Sequence, residues 1–457
     1  MIFPHPSENL GIRMYSHNKK QLTHLLMTFG LTMLLIGCGG GESPSVNRAP
    51  TPTPSPSPTL PQPPACPGGN CNGTSAGYTP SNFAGYSYAT YPTPNIPSNQ
   101  PYTQRPLPTA YSNAKAINYS PYRAGGPGAS ETPTAAQIGQ DLQLLSDAGF
   151  TLLRLFSSDT NSEHVLNIAK QHFPNLNFQL GVYLFGATSG HTCLTEPQNT
   201  SQVNSGILLA NKYSNVVSVS IGNETSFARD GGANLPVSCV VNFVQQVKSQ
   251  TPTTIAITAD DDFSYYVNTD PTNGPNTLLP YLDFASIHIY ALNGNEGQWN
   301  WKSFTSGASM MAGALSWVES KFAQVAAHTY TNLLNQTVSI GAQLPIVVGE
   351  TGWKSAQTNP SEQIEQYAAN PVNQKWWFEN MQTWQTGLNT ANASAPGLVF
   401  TFEGTNESWK GTDDGWGLWT STRTPQFTWC NNSIISSQAC TNSTYTNVYE
   451  GLGYYNP

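Results

Sequence analysis

The chain has 457 residues and a net charge of −8, with only 10% of residues charged. That balance excludes a basic face for nucleic acid. The length exceeds one average domain, yet a single barrel of roughly 250–400 residues would use most of it. Solubility must rest on Asn, Ser, Thr, Gln and Gly.

The N-terminal segment carries Arg13, Lys19 and Lys20 ahead of an apolar run over 25–37. The run is short for a membrane span and has the layout of an export signal. It ends in Leu35-Ile36-Gly37-Cys38, which resembles the bacterial lipobox. The resemblance implies cleavage before Cys38, a lipid on its thiol, and residence in the bacterial cell envelope with the membrane as a partner. Residues 1–37 are thus expected to be a lipoprotein signal. Residues 38–108, rich in Pro, Ser and Thr, are expected to be a semi-rigid tether. Setting Cys38 aside leaves six cysteines, which suit an oxidising compartment. Six cysteines allow fifteen connectivities, of which the one with local pairs Cys66–Cys71 and Cys430–Cys440 costs least in loop closure and would leave Cys193–Cys239. There is no CxxC pattern, so no zinc site, other metal or cofactor is expected.

From residue 109 to 457 strand-like and helix-like segments alternate, the pattern of a parallel sheet with crossover helices. Eight strands are expected, at 116–122, 152–157, 178–185, 216–224, 254–259, 284–290, 346–350 and 398–403. Helices are expected at 135–148, 163–172, 237–248, 310–334 and 362–388. The first has a start signal in Thr132-Pro133-Thr134 and a stop in Gly149. The fold class is therefore an α/β (β/α)8 barrel. Strand parity sends Ser218, Ser220, Ser286, His288 and Tyr290 inward and Val219, Ile221, Ile287 and Ile289 toward the helices. In the eighth strand, Leu398, Phe400 and Phe402 are expected to face outward and Thr401 and Glu403 inward.

Two short β-branched runs end in carboxylates: Val219-Ser220-Ile221-Gly222-Asn223-Glu224 and Val347-Val348-Gly349-Glu350-Thr351-Gly352-Trp353. A lone Glu at a strand end is ordinarily a solvated loop charge. Two of them at the C-terminal rim of one barrel are what cleavage of a glycosidic bond needs, one to protonate the leaving oxygen and one to attack or to activate water. The 21 Tyr and 11 Trp fit the same reading, since sugar rings stack on aromatic faces.

Several motifs resemble glycoside hydrolase family 17, the β-1,3-glucanases and related glucanosyltransferases. They are Asn118-Tyr119-Ser120-Pro121-Tyr122, Leu153-Arg154-Leu155-Phe156, Gly222-Asn223-Glu224, Val348-Gly349-Glu350-Thr351-Gly352-Trp353, and the run Phe400 to Lys410. By that resemblance Glu224 is the acid/base and Glu350 the nucleophile of a retaining hydrolase acting on β-1,3-glucan. Asn223 would bind the sugar 2-hydroxyl, and Tyr290 would hold the sugar beside the nucleophile. Glu407 and Lys410 would orient substrate, Trp353 and Trp409 would be stacking platforms, and Tyr122 would line the cleft. A transferase using the same residues, another member of the clan cutting β-1,4-glucan or mannan, or a glycan-binding lipoprotein without catalysis, are the alternatives. A monomer is expected.

Overall fold

A computed structural model describes residues 85–426 apart from 128–130, 227–233, 293–299, 301–302, 305–306, 357, 359–367 and 388–394. Eight parallel strands close into a barrel: β1 (Ala116–Asn118), β2 (Leu152–Leu155), β3 (Asn177–Val182), β4 (Val216–Asn223), β5 (Ala256–Asp262), β6 (Ala285–His288), β9 (Ile346–Thr351) and β10 (Val399–Thr401). Each overlaps an expected strand. Two further short strands, β7 (Thr329–Thr331) and β8 (Thr337–Ser339), form an antiparallel hairpin outside the barrel. The expected helix at 310–334 therefore stops early, as α6 (Gly307–Ala327). The β-branched residues of Thr329, Thr331, Thr337 and Val338 favour the hairpin. Its turn is held by the Asn332 side chain, which accepts from the backbone N–H of Leu334 and Gln336.

Helices α1 (Ala135–Asp147), α2 (Thr160–His172) and α4 (Val237–Ser249) match expected segments, whereas α8 (Pro371–Gln385) starts later than the expected residue 362, at a proline capped by the Asn370 side chain. Thr134 and Gln137 form a reciprocal capping box at the start of α1, and Gly149 adopts φ +84° just past its end. An additional helix, α3 (Pro197–Lys212), follows β3. Its first two turns are polar, which hides the buried stripe of Val203, Ile207, Leu209 and Ala210 from a periodicity reading. The fifth connection holds only the single-turn α5 (Phe263–Tyr266) and short 3-10 turns, and a one-turn α7 (Ile340–Gln343) precedes β9. The disulfide expected between Cys193 and Cys239 is present and joins the loop after β3 to α4. Cys38, Cys66, Cys71, Cys430 and Cys440 lie outside the described residues.

Two apolar layers form. Val219, Ile221, Ile287 and Ile289 pack with the helices, while Tyr111, Ala116, Leu152, Ala256, Phe284, Val347, Leu398 and Phe400 fill the lower barrel interior. Leu398 and Phe400 thus face inward, against expectation, and Val399 faces the helices. The reason is volume. The floor is plugged by Tyr111, whose ring meets Phe284 at 5.5 Å and Phe400 at 6.2 Å, so bulky side chains are needed there. A register shift between Val216 and Ser218 puts Val216 with the helix-facing layer and Val217 against the inner one.

The folded domain begins before Thr109. Tyr86 stacks on His172 at 4.0 Å, Tyr88 on His164 at 3.9 Å, and Tyr91 meets Tyr213 edge-on at 5.5 Å. Asn167 pairs with both the N–H and the C=O of Ala89. Arg105 is buried and donates to Thr251 Oγ1 and to the carbonyls of Lys248, Pro252 and Ile255. Residues 85–108 are therefore a strap across the helices and the base. Composition assigned them to the tether because Pro-rich sequence carries no periodicity, although it packs well once aromatic side chains anchor it.

Candidate active site

The site is assembled at the C-terminal ends of the strands around Arg154, which β2 buries inside the barrel. Its Nε donates to Asp260 Oδ2 at 2.7 Å and Nη1 to Asn118 Oδ1 at 2.9 Å. Nη1 also reaches Glu350 Oε1 at 2.6 Å, and Nη2 reaches Asn223 Oδ1 at 2.6 Å. One planar guanidinium thereby fixes groups from β1, β4, β5 and β9. With its oxygen taken by Arg154, the Asn223 amide is oriented with its NH2 as the remaining donor. Asp260 was not among the expected site residues, because β5 was expected to end at Ala259. The signal was the run Asp260-Asp261-Asp262, three acids after an alternation of apolar residues.

Glu224 follows β4 in a left-handed conformation, φ +49°, with its N–H on the Asp260 carbonyl at 3.0 Å. Glu350, on β9, is reached through a register shift against β6 between Ile287 and His288. His288 stands between them: Nδ1 contacts Glu224 Oε1 at 2.9 Å and Nε2 faces Glu350 Oε1 at 3.6 Å. An oxygen of each carboxylate and a His288 nitrogen all lie within 4.8 Å of one another. Tyr290 donates its hydroxyl to Glu350 Oε2 at 2.7 Å.

These contacts drive the two carboxyls apart. Although 29% of the Glu224 side chain reaches solvent, loss of water over the rest, with the charges of Glu350 and Asp262, pushes its carboxyl above the usual range despite the His288 hydrogen bond. Burial would also raise Glu350. The positive charges of His288 and Arg154 and the hydroxyl of Tyr290 outweigh it and hold Glu350 low. His288 itself is pushed up to about 9, because Glu350 and the hydrogen bond to Glu224 outweigh its burial. Glu224, His288 and Glu350 are also the one cluster with metal-donor spacing among the described residues. Arg154 occupies the Glu350 oxygen that faces His288, so a cation between them would sit against a guanidinium.

Beside Glu350, Tyr290 meets Phe402 at 5.9 Å and Trp416 at 5.2 Å, and Phe402 meets Phe156 at 6.3 Å. Trp416 was not foreseen. Trp353 was expected to be a platform and is not one. It is 1% exposed, its indole N–H bonds the Ala368 carbonyl at 2.8 Å, and its ring packs on Trp377 at 5.4 Å. The chain turns at Gly352, where a Cβ would fall 2.2 Å from the Phe402 carbonyl, and sends the indole behind the barrel wall.

The other expected residues form a second group on the rim. Lys410 lies between two buried acids, 2.8 Å from Glu403 and 2.5 Å from Glu407. Its ammonium sits 4.6 Å from the Phe402 ring. Trp409 is half-buried, edge-on to Tyr122 at 6.3 Å. Tyr122 is itself buried and hydrogen-bonded to Asn161 at 3.1 Å.

Residues 116–418, well over half of the chain, match the BtgE/BtgC glycoside hydrolase domain. The chain belongs to that family. This glycoside hydrolase domain is also similar in structure to an endo-laminarinase from Formosa Hel1_33_131, with a TM-score of 0.56 and 18% identity over 68% of this chain and 84% of that one. An active-site mutant of a Rhizomucor miehei beta-1,3-glucanosyltransferase, in complex with laminaritriose, aligns at a TM-score of 0.49 and 18% identity over 71% of this chain and 97% of its own. At such identities the likeness concerns the fold. No match is found among curated proteins.

Proposed function

We propose that the glycoside hydrolase domain cleaves β-1,3-glucan with retention of configuration, using Glu350 as nucleophile and Glu224 as acid/base. The observation that carries this reading is the pair itself: carboxylate oxygens within 4.8 Å of one another, one carboxyl raised and the other lowered. Retaining pairs stand about 5–5.5 Å apart, whereas inverting pairs need about 6.5–9.5 Å to admit a water.

In the first step Glu350 attacks the anomeric carbon. The bond to the glycosidic oxygen breaks, and that oxygen takes the proton from Glu224. In the second step the Glu224 carboxylate removes a proton from water, whose oxygen displaces Glu350 from the sugar. His288 steadies the negative charge that Glu224 gains between the steps. Asn223, held by Arg154, offers its NH2 to the sugar 2-hydroxyl. The choice of β-1,3-glucan rests on the family 17 motifs, above all Glu350-Thr351-Gly352-Trp353 and Phe402 to Lys410.

Product analysis on laminarin, lichenan and carboxymethyl cellulose tests this. Laminarin should be cut fastest, with the β-anomer formed first. Faster cleavage of cellulose removes the linkage assignment, products longer than the substrate assign a transferase, and binding without new reducing ends assigns a glycan binder. We further propose attachment to the bacterial cell envelope by a lipid on Cys38. Stable anchoring takes more than one acyl chain, so Cys38→Ala should move the protein out of the membrane fraction or block its processing.

A further inference from the structure

Asp261 has no part in the steps above, yet it is only 3% exposed, on the helix-facing side of β5. Ile257 and Ala259, on the same side of the strand, belong to the apolar layer under the helices. A carboxyl group placed there gives up water and needs hydrogen-bond donors in return. They come from the loop that follows Glu224. Ser226 gives Asp261 Oδ2 its backbone N–H at 3.1 Å and its hydroxyl at 2.5 Å, and Asp261 Oδ1 accepts the Asp262 N–H at 2.9 Å.

β5 thus grips this loop on both sides of the acid/base: the Asp260 carbonyl takes the Glu224 N–H, and the Asp261 side chain takes Ser226. Between the two grips Glu224 holds a left-handed conformation at φ +49°, next to Gly222 at φ +83°. A residue with a side chain keeps such a conformation only when its surroundings impose it.

We propose that Asp261 is a positioning residue that, through Ser226, holds the Glu224 carboxyl against the leaving oxygen. The inference rests on the reading of Glu224 as acid/base. Burial raises Asp261 to about 7, with Glu224 adding to the rise and Ser226, the Asp262 N–H and His288 opposing it. Among the described residues, the other titratable groups coupled to Asp261 are Tyr265 and Tyr266 of α5.

The experiment uses the full chain and two substrates: laminarin, whose leaving sugar needs a proton, and an aryl β-laminaribioside whose leaving group does not. Asp261→Asn keeps an oxygen for Ser226 and should retain most of the activity on laminarin. Asp261→Ala releases the loop and should lower kcat/KM on laminarin by about 10–10²-fold, the scale of a misplaced catalytic group, while glycosylation by the aryl substrate stays near wild type. Ser226→Ala should show the same split, more weakly, and serves if Asp261→Ala does not fold. Equal losses on both substrates, or a loss in Asp261→Asn as large as in Asp261→Ala, would overturn the proposal. Glu224→Ala, measured in parallel, must show the split in its strongest form. If it does not, the acid/base assignment has failed rather than the role of Asp261.

Discussion

Arg154 Nη1 and Glu350 Oε1 are 2.6 Å apart, and both side chains are withdrawn from solvent. The same guanidinium binds Asp260 and Asn223, so the groups on the two sides of the cleft share one support. Lysine offers a point charge in place of that fork. Arg154→Lys should therefore lose activity by more than about 10²-fold through misplacement of Glu350 and Asn223. It should also be less stable, since a buried acid left without its partner costs about 3–5 kcal/mol. Steady-state kinetics and urea unfolding check the two parts separately.

The two glutamates are distinguishable chemically. Glu350→Gln should end turnover on every substrate, because no glycosyl-enzyme can form. Glu224→Ala should lose at least about 10²–10⁴-fold on laminarin, yet regain turnover on an aryl glycoside when azide is added, giving the β-glycosyl azide. Azide rescue of the Glu350 variant instead would exchange the roles.

The pH dependence follows from the charges. On the proposed roles Glu350 must be ionised and Glu224 protonated, so kcat/KM should be bell-shaped, with Glu350 on the acid limb and Glu224 on the alkaline limb. His288 adds a stability term. Its folded pKa, about 9, lies above its ordinary value. The stabilisation is therefore complete below the unfolded pKa, near about 6.5, and fades as pH rises through about 9. Urea midpoints of the wild type should fall across that window. His288→Gln should begin lower and lack this part of the decline.

Trp353 should behave as a core residue. Trp353→Ala should cost about 3–5 kcal/mol, the usual loss for truncating a buried tryptophan. The correctly folded fraction should retain the wild-type KM for laminarin. A weakened KM at unchanged stability would return Trp353 to the cleft.

The strap bears on where the folded domain begins. A chain starting at Thr109 loses Arg105, and with it the donors to the carbonyls of Lys248, Pro252 and Ile255. Each buried acceptor left unpaired costs about 1–3 kcal/mol. Differential scanning calorimetry should show a markedly lower midpoint than for a chain starting before Tyr86.

The barrel was legible because strand and helix signals are local: apolar runs between helix-like stretches marked all eight strands, and the ends of β4 and β9 pointed to Glu224 and Glu350. What escaped depended on long-range packing. The inward turn of Leu398 and Phe400 follows from Tyr111, nearly three hundred residues earlier, filling the floor. Trp353 shares a motif with Glu350, but the close approach of Gly352 to Phe402 decides which way the indole goes. Asp260 and Asp261 looked like loop acids until Arg154 and Ser226 were found on them. His288 was placed inward by parity, but its position between the two carboxylates came only from the closed barrel.

Tyr86 rests on His172, the last residue of α2, and α2 runs opposite to the strands, so this contact lies at the end of the barrel far from Glu224 and Glu350. Whatever loosens Tyr86 therefore acts on the base of the barrel and leaves its mouth as it was.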